Sequence, residues 1–220
     1  MSGYQAIIFD MDGVLVDSEP IFLNAINRLL QREGQEPMSE ADNEQHLIGT
    51  TVEETWRRLK DLRHLPQPIP HYIASYDDIV REVLQEPLPP QPGVVRLLET
   101  CAQRGLPTAV ASSSLRDWVG MKLRALGLTD AFNVILGGDD VTRGKPQPDI
   151  YLLAAERLGL APERCVAIED SPIGIAAAVA ARTYTVAVRT AYTRNLDVSQ
   201  AHRILETLED FDLGLLDQGR

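Results

Sequence analysis

Ala6-Ile7-Ile8-Phe9-Asp10-Met11-Asp12-Gly13 is the stretch that decides how this chain folds. Four apolar residues in a row, without alternation, mark a short strand buried on both faces, as in a parallel sheet. The run stops abruptly at an aspartate. Asp10 and Asp12 are two apart, so an extended backbone points both side chains the same way. Gly13 then supplies the freedom for a sharp turn directly beneath them. Alone, Asp-Met-Asp-Gly reads equally well as a solvated turn; its place behind four buried residues argues for a site.

The same pattern recurs along the chain. Thr108-Ala109-Val110-Ala111 ends at Ser112-Ser113-Ser114, and Val134-Ile135-Leu136 precedes Gly137-Gly138-Asp139-Asp140. Cys165-Val166-Ala167-Ile168 ends at Glu169-Asp170, and Thr185-Val186-Ala187-Val188 ends at Arg189. Helical patterns lie between them: Val94, Leu97, Leu98 and Cys101 stopped by Gly105, then Val119, Leu123 and Leu126 stopped by Gly127. Ile150, Leu153, Ala154 and Leu158 repeat the pattern up to Gly159. Alternating strands and helices predict an α/β fold, a Rossmann-like parallel sheet core with helices on both faces. Residues 19 to 86 break this rhythm. They hold no apolar strand run and predict helices over 20–33, 52–62 and 73–84, followed by the stiff connector Pro87-Leu88-Pro89-Pro90-Gln91-Pro92-Gly93. Residues 1–17 and 92–220 are thus expected to form the core, and 18–91 an inserted all-helical domain.

The chain has 220 residues, 44% apolar and 24% charged, enough for a core without staples. Its formal net charge of −11 provides no basic field for nucleic acid or anionic lipid, so neither is expected as a partner. An acidic protein acting on anions must concentrate positive charge locally, on a metal or a few lysines. Cys101 and Cys165 fall in apolar patterns and read as small buried residues, not a disulfide framework. No charged-then-apolar leader opens the sequence and nothing approaches a membrane span, which fits a cytoplasmic protein; a monomer is expected. His46, His64, His71 and His202 show no ligand spacing and read as surface residues. Trp56 and Trp118 read as packing or partial surface, and Tyr76 as a core residue of the insert.

The polar residues that end these strands stand where open α/β sheets bind ligands, outside the carboxyl ends of the strands. Carboxylates of Asp10, Glu169 and Asp170 can converge on a hard cation such as Mg²⁺; Asp170 or Ser171 before Pro172 also makes an ordinary helix cap. Ser112 and Ser113 precede a helix whose N-terminus can hold phosphate, though serines commonly cap helices. Lys145, in Arg143-Gly144-Lys145-Pro146, is held out of helix by proline and, alone, reads as a solvated lysine.

Together these residues resemble the four motifs of the haloacid dehalogenase-like hydrolase superfamily. Asp10-Met-Asp12-Gly-Val-Leu-Val-Asp17-Ser18 is similar to the first, Ser112 to the second, Lys145-Pro146 to the third and Glu169-Asp170-Ser171 to the fourth, in order over the whole chain. The insert resembles that family's helical cap of the first type, in the branch of β-phosphoglucomutase and of sugar-phosphate or phosphoglycolate phosphatases. The resemblance implies that the strands of Asp10 and Asp170 are neighbours. It also implies that Asp10 and Asp170 bind Mg²⁺ through carboxylates, with Glu169 beside them, and Asp12 through its backbone carbonyl. A small phosphorylated metabolite is then the expected partner: Asp10 attacks phosphorus, Asp12 exchanges protons with the leaving group and water, Lys145 offsets charge and Ser112 holds a phosphate oxygen. Gly49, in Gly49-Thr50-Thr51, is expected to face the substrate from the cap.

A mutase of this branch has a cap histidine near Phe22 and a basic cap residue near Val52. Neither residue here shuttles a proton or grips a second phosphate, so hydrolysis is expected over isomerisation, with Arg57, Arg58 and Lys60 the nearest basic substitutes. A phospho-acceptor signalling module also pairs acidic residues with a lysine, but it needs neither a second acid nor a lid. Arg182 stands at a helix end where the family often has glycine.

Overall fold

A computed structural model of the chain describes residues 3–47 and 51–216. Six parallel strands form one sheet: β1 (Ala6–Phe9), β2 (Thr108–Ala111), β3 (Val134–Leu136), β4 (Cys165–Glu169), β5 (Tyr184–Val188) and β6 (Arg203–Leu205), in the order β3-β2-β1-β4-β5-β6. The order reverses between β1 and β4, and such a switch point opens a crevice at the strand ends. Every residue of β1, β2 and β4 is buried, so the middle of the sheet is covered on both faces. The edge strand β6 escaped the sequence reading because Arg203 and Ile204 are exposed and no apolar run announces it.

The helices are α1 (Glu19–Arg32), α2 (Glu40–His46), α3 (Val52–Arg63), α4 (Ile69–Val83), α5 (Val94–Arg104), α6 (Arg116–Ala125), α7 (Asp149–Arg157) and α8 (Pro172–Ala180). Ala6 and Ile8 share one face of β1 and pack with Ala109, Ala111, Cys165 and Ala167 against Ile150, Tyr151 and Ala154 of α7 and Ala177 and Ala178 of α8. Alanine on both sides of this layer lets helix and sheet backbones approach closely. Among the described residues no helix is long and apolar enough to cross a membrane.

The chain divides into two compact units, Met1–Asp17 with Pro87–Arg220, and Ser18–Glu86. The proline connector, assigned from sequence to the insert as far as residue 91, falls in the α/β unit. The Leu88 N–H donates to the Ala125 carbonyl and the Gln91 N–H to the Leu15 carbonyl, both at 2.9 Å. In the helical unit, α2 was not anticipated: six of its seven residues are polar, with Asn43 the buried one, and Ser39 caps it by accepting from the Asp42 N–H. Helix α4 starts earlier than the apolar spacing suggests because Pro70 occupies the first turn, where no N–H is needed. Trp56 is buried against Tyr72 and Tyr76, with ring centroids 5.5 and 5.6 Å away.

Arg182 follows α8 with φ of +65°. Its N–H donates to the Val179 carbonyl and the Thr183 N–H to the Ala178 carbonyl, the paired bonds of a left-handed helix stop. A side chain costs energy in this conformation, and the exposed Arg182–Glu163 ion pair at 3.0 Å returns little of it. Arg182→Gly is therefore expected to stabilise the protein by roughly 0.5–1 kcal/mol. Urea unfolding checks this; a lower midpoint at unchanged slope would show that the ion pair outweighs the backbone strain.

Candidate active site

Strand register assembles the site. Phe9 pairs with Ile168 on one side and with Val110 on the other, and the Asp10 N–H donates to the Ile168 carbonyl at 2.9 Å. One residue further on, Asp10 therefore lies level with Glu169 and Ala111. Along β1 and β4, Asp10 has the parity of Ala6 and Ile8, and Glu169 that of Cys165 and Ala167, so both belong to the face covered by α7 and α8.

Lys145 enters on that face from the loop before α7. Its side chain is 3% exposed, and its ammonium donates to Asp10 Oδ1 and Glu169 Oε1, each at 2.6 Å, and to the Ala111 carbonyl at 2.9 Å. All three donor positions are thus spent on the ends of β1, β4 and β2. Tyr151, in the first turn of α7, lies beneath the ammonium at 5.1 Å and donates its hydroxyl to Glu169 Oε1 at 2.6 Å. Glu169 Oε2 accepts from the Asp170 and Ser171 N–H groups and the Ser171 hydroxyl. Two glycines admit this closeness: a Cβ on Gly174 would overlap the Glu169 carboxylate, and one on Gly13, at φ +85°, would overlap Asp170 Oδ2.

Asp10, Glu169 and Asp170 each offer a carboxylate oxygen within 4.8 Å of the others. One ammonium lies among three buried carboxyl groups and is bonded to two of them. Burial, then repulsion from Glu169, Asp10 and Asp12, pushes Asp170 up to about 9. Burial pushes Asp10 up to about 7, with Lys145 pulling against it and Glu169 and Asp12 adding to it. Burial would lower Lys145, but Asp10 and Glu169 overcome it and hold the ammonium above its ordinary range. Among the described residues the carboxylates of the cluster outnumber its one ammonium, and an all-oxygen donor set of this kind suits a small hard divalent cation.

Asp12 is engaged elsewhere. Gly13 donates to the Val16 carbonyl at 2.8 Å in a tight turn that ends the strand alternation. Asp12 Oδ1 accepts from the ammonium of Lys122, and Oδ2 from Ser114 Oγ at 3.0 Å. Ser112, fully buried at the end of β2, accepts the Ser114 N–H on its hydroxyl at 3.0 Å.

Residues 7–188 match the family model described as haloacid dehalogenase-like hydrolase. The chain belongs to this family. It is 35% identical to the phosphorylated carbohydrates phosphatase of Thermotoga maritima over 80% of this chain and 81% of that one. It is 34% identical to a fructose-1-phosphate phosphatase of Escherichia coli, over 84% and 97%. The crystal structure of CbbY from Rhodobacter sphaeroides with xylulose-(1,5)bisphosphate aligns with a TM-score of 0.83 at 30% identity, covering 97% of this chain and 99% of that one.

Of the residues read from sequence as the site of such a hydrolase, Asp10, Lys145, Glu169 and Asp170 form one hydrogen-bonded or closely spaced cluster. The Asp12 side chain is bound to α6, Ser113 is exposed beside the buried Ser112, and Gly49 lies outside the described residues. Three contributors were missed. Tyr151 reads as one more apolar residue of α7, and Ser114 as a third serine in a loop. Lys122 was legible in principle: it stands three after Val119 and four after Trp118, inside the apolar stripe of α6.

A carboxyl whose folded pKa lies above its unfolded value stabilises fully below the unfolded value, and that contribution is lost as pH rises through the folded one. For Asp10 and Asp170 the window runs from the ordinary 3.8 to about 7 and about 9. Without divalent metal, this pair is expected to cost stability progressively across that range. Added Mg²⁺ should raise Tm more at about pH 8 than at about pH 5. Differential scanning fluorimetry of chelator-treated protein would show it, and equal Mg²⁺ effects at both pH values would contradict a cation among these carboxylates.

Proposed function

We propose that the protein is a Mg²⁺-dependent phosphatase of sugar phosphates or similar phosphomonoesters, with Asp10 as the nucleophile. The observation that carries this reading is a buried aspartate at a strand end, fixed by Lys145 beside the carboxylates of Glu169 and Asp170. A carboxylate so placed can attack phosphorus: an Asp10 oxygen bonds to the phosphoryl group while the bond to the substrate oxygen breaks, and Asp12 gives the departing alkoxide its proton. Water then attacks the aspartyl-phosphate, the bond to Asp10 breaks, and the water's proton passes to Asp12. Lys145 stays beside Asp10 and offsets negative charge on the transferring group. Ser112 and the backbone at the end of β2 are assigned to a phosphate oxygen, with Ser113 and Gly49 as further candidates for substrate contact.

Asp10 and Asp170 would supply the carboxylate ligands of Mg²⁺, and Asp12 its backbone carbonyl. Bound there, the cation would provide Lewis-acid charge for the phosphoryl oxygens and relieve the repulsion between the acids. Glu169 lies within reach of the same ion, yet both its oxygens already accept hydrogen bonds. Its larger task is holding Lys145.

The helical unit is assigned the choice of leaving group. The relatives named for phosphorylated carbohydrates and fructose 1-phosphate support a sugar phosphate as substrate. Arg57 pairs with Glu53 and Glu54, Arg58 with Glu54, and the Lys60 ammonium with the Leu65 and Gln67 carbonyls. The basic residues nearest to replacing a mutase's cap cation are thus bound within their own unit, which favours hydrolysis.

A panel of sugar phosphates assayed for phosphate release with Mg²⁺ tests the reading. Asp10→Asn should lose roughly 10³-fold or more of the turnover with its circular dichroism unchanged. With β-glucose 1-phosphate and a bisphosphate primer, phosphate release should exceed glucose 6-phosphate formation. Rapid isomerisation with little phosphate released would replace the phosphatase by a mutase.

A further inference from the structure

Helix α6 carries a lysine in its apolar stripe. Lys122 is fully buried beside Trp118, Val119 and Leu123, and its ammonium donates to Asp12 Oδ1. It also donates to Ser114 Oγ at 3.2 Å, and that hydroxyl donates to Asp12 Oδ2 at 3.0 Å. Taking an ammonium out of water costs several kcal/mol, and an apolar residue of similar volume would fill this position more cheaply. Packing alone therefore does not account for a lysine here. The carboxylate end of the pair is different: the Asp12 side chain is 31% exposed. The buried cation reaches outward to an acid that solvent can touch.

The arrangement separates two acids that the sequence places two residues apart. Asp10 is bound by Lys145 from the loop before α7, and Asp12 by Lys122 and Ser114 from the end of β2 and α6. Both oxygens of Asp12 accept from donors on one side, which selects a single orientation of its carboxylate.

We infer that Lys122, together with Ser114, is a positioning residue that holds the Asp12 carboxylate in the orientation needed to exchange protons during phosphoryl transfer. This rests on the reading of Asp12 as the proton-transfer group. Proton transfer demands hydrogen-bond reach, and a misplacement of about 1 Å costs on the order of 10² in rate. The effect is distinguishable from general damage by the choice of leaving group. p-Nitrophenolate departs without needing a proton, so transfer to Asp10 proceeds whatever the state of Asp12. Attack by water on the aspartyl-phosphate still requires it.

Lys122→Met, which keeps length and volume, is expected to lower kcat for p-nitrophenyl phosphate about 10²-fold and KM in proportion, leaving kcat/KM close to wild type. A stoichiometric burst of p-nitrophenolate should precede the slow steady state. Ser114→Ala removes one hydroxyl and should show the same pattern, smaller, about 3- to 10-fold; it decides the matter if Lys122→Met does not fold. In an Asp12→Asn background neither substitution should lower kcat further. Losses that multiply in that background, or a fall in kcat with KM unchanged and no burst, would overturn the inference. If Asp12→Asn halts turnover while Lys122→Met and Ser114→Ala keep wild-type kcat, only the positioning role fails. If Asp12→Asn turns over normally, the proton-transfer reading of Asp12 fails with it.

Discussion

The ammonium of Lys145, seated between the carboxylates of Asp10 and Glu169, is the contact on which the rest of the α/β unit depends. It ties the ends of β1, β2 and β4 together at the point where the strand order reverses, using one donor for each. A buried lysine without acids, or buried acids without the lysine, would be untenable in so dry a place. Much of the surrounding sequence follows from making the contact fit. Gly174 lets α8 begin against Glu169, Gly13 lets the turn after β1 pass Asp170, and Tyr151 supports the lysine and Glu169 from α7.

The compensation is incomplete, and this is where structure turns into chemistry. One ammonium does not neutralise three carboxylates, and burial with their mutual repulsion pushes Asp10 and Asp170 upward. A protein selected for stability alone would not keep such a cluster; strain of this kind gathers at functional sites.

A second lysine answers a second acid. Lys122 and Lys145 come from different elements and bind aspartates two residues apart, so the turn after β1 presents one carboxylate to the buried cluster and the other to α6. The bond from Gln91 N–H to the Leu15 carbonyl holds the returning chain against this same turn. The helical segment can therefore be inserted at that point without loosening the strand ends.

The sequence by itself determined the strands β1 to β5, the helices between them, the inserted helical segment and the membership of Asp10, Lys145, Glu169 and Asp170 in one site. Most are written locally, as an unbroken apolar run, a helical repeat ended by glycine, or a polar residue where a run stops, while Lys145 joins the others only through the resemblance of its motif. It did not reveal α2 or β6, whose residues are largely polar or exposed and whose order comes from a cap or a neighbouring strand. Nor did it tell which acid meets which lysine. Alternation placed Asp10 and Asp12 on one side, but each takes its own lysine, Asp10 Lys145 and Asp12 Lys122. Lys122 drew no reading, because a helix stripe predicts burial without naming what lies at its end. Only the tertiary structure brings Asp12, distant in sequence, to that lysine, since a charge can stay buried only where the fold supplies its partner.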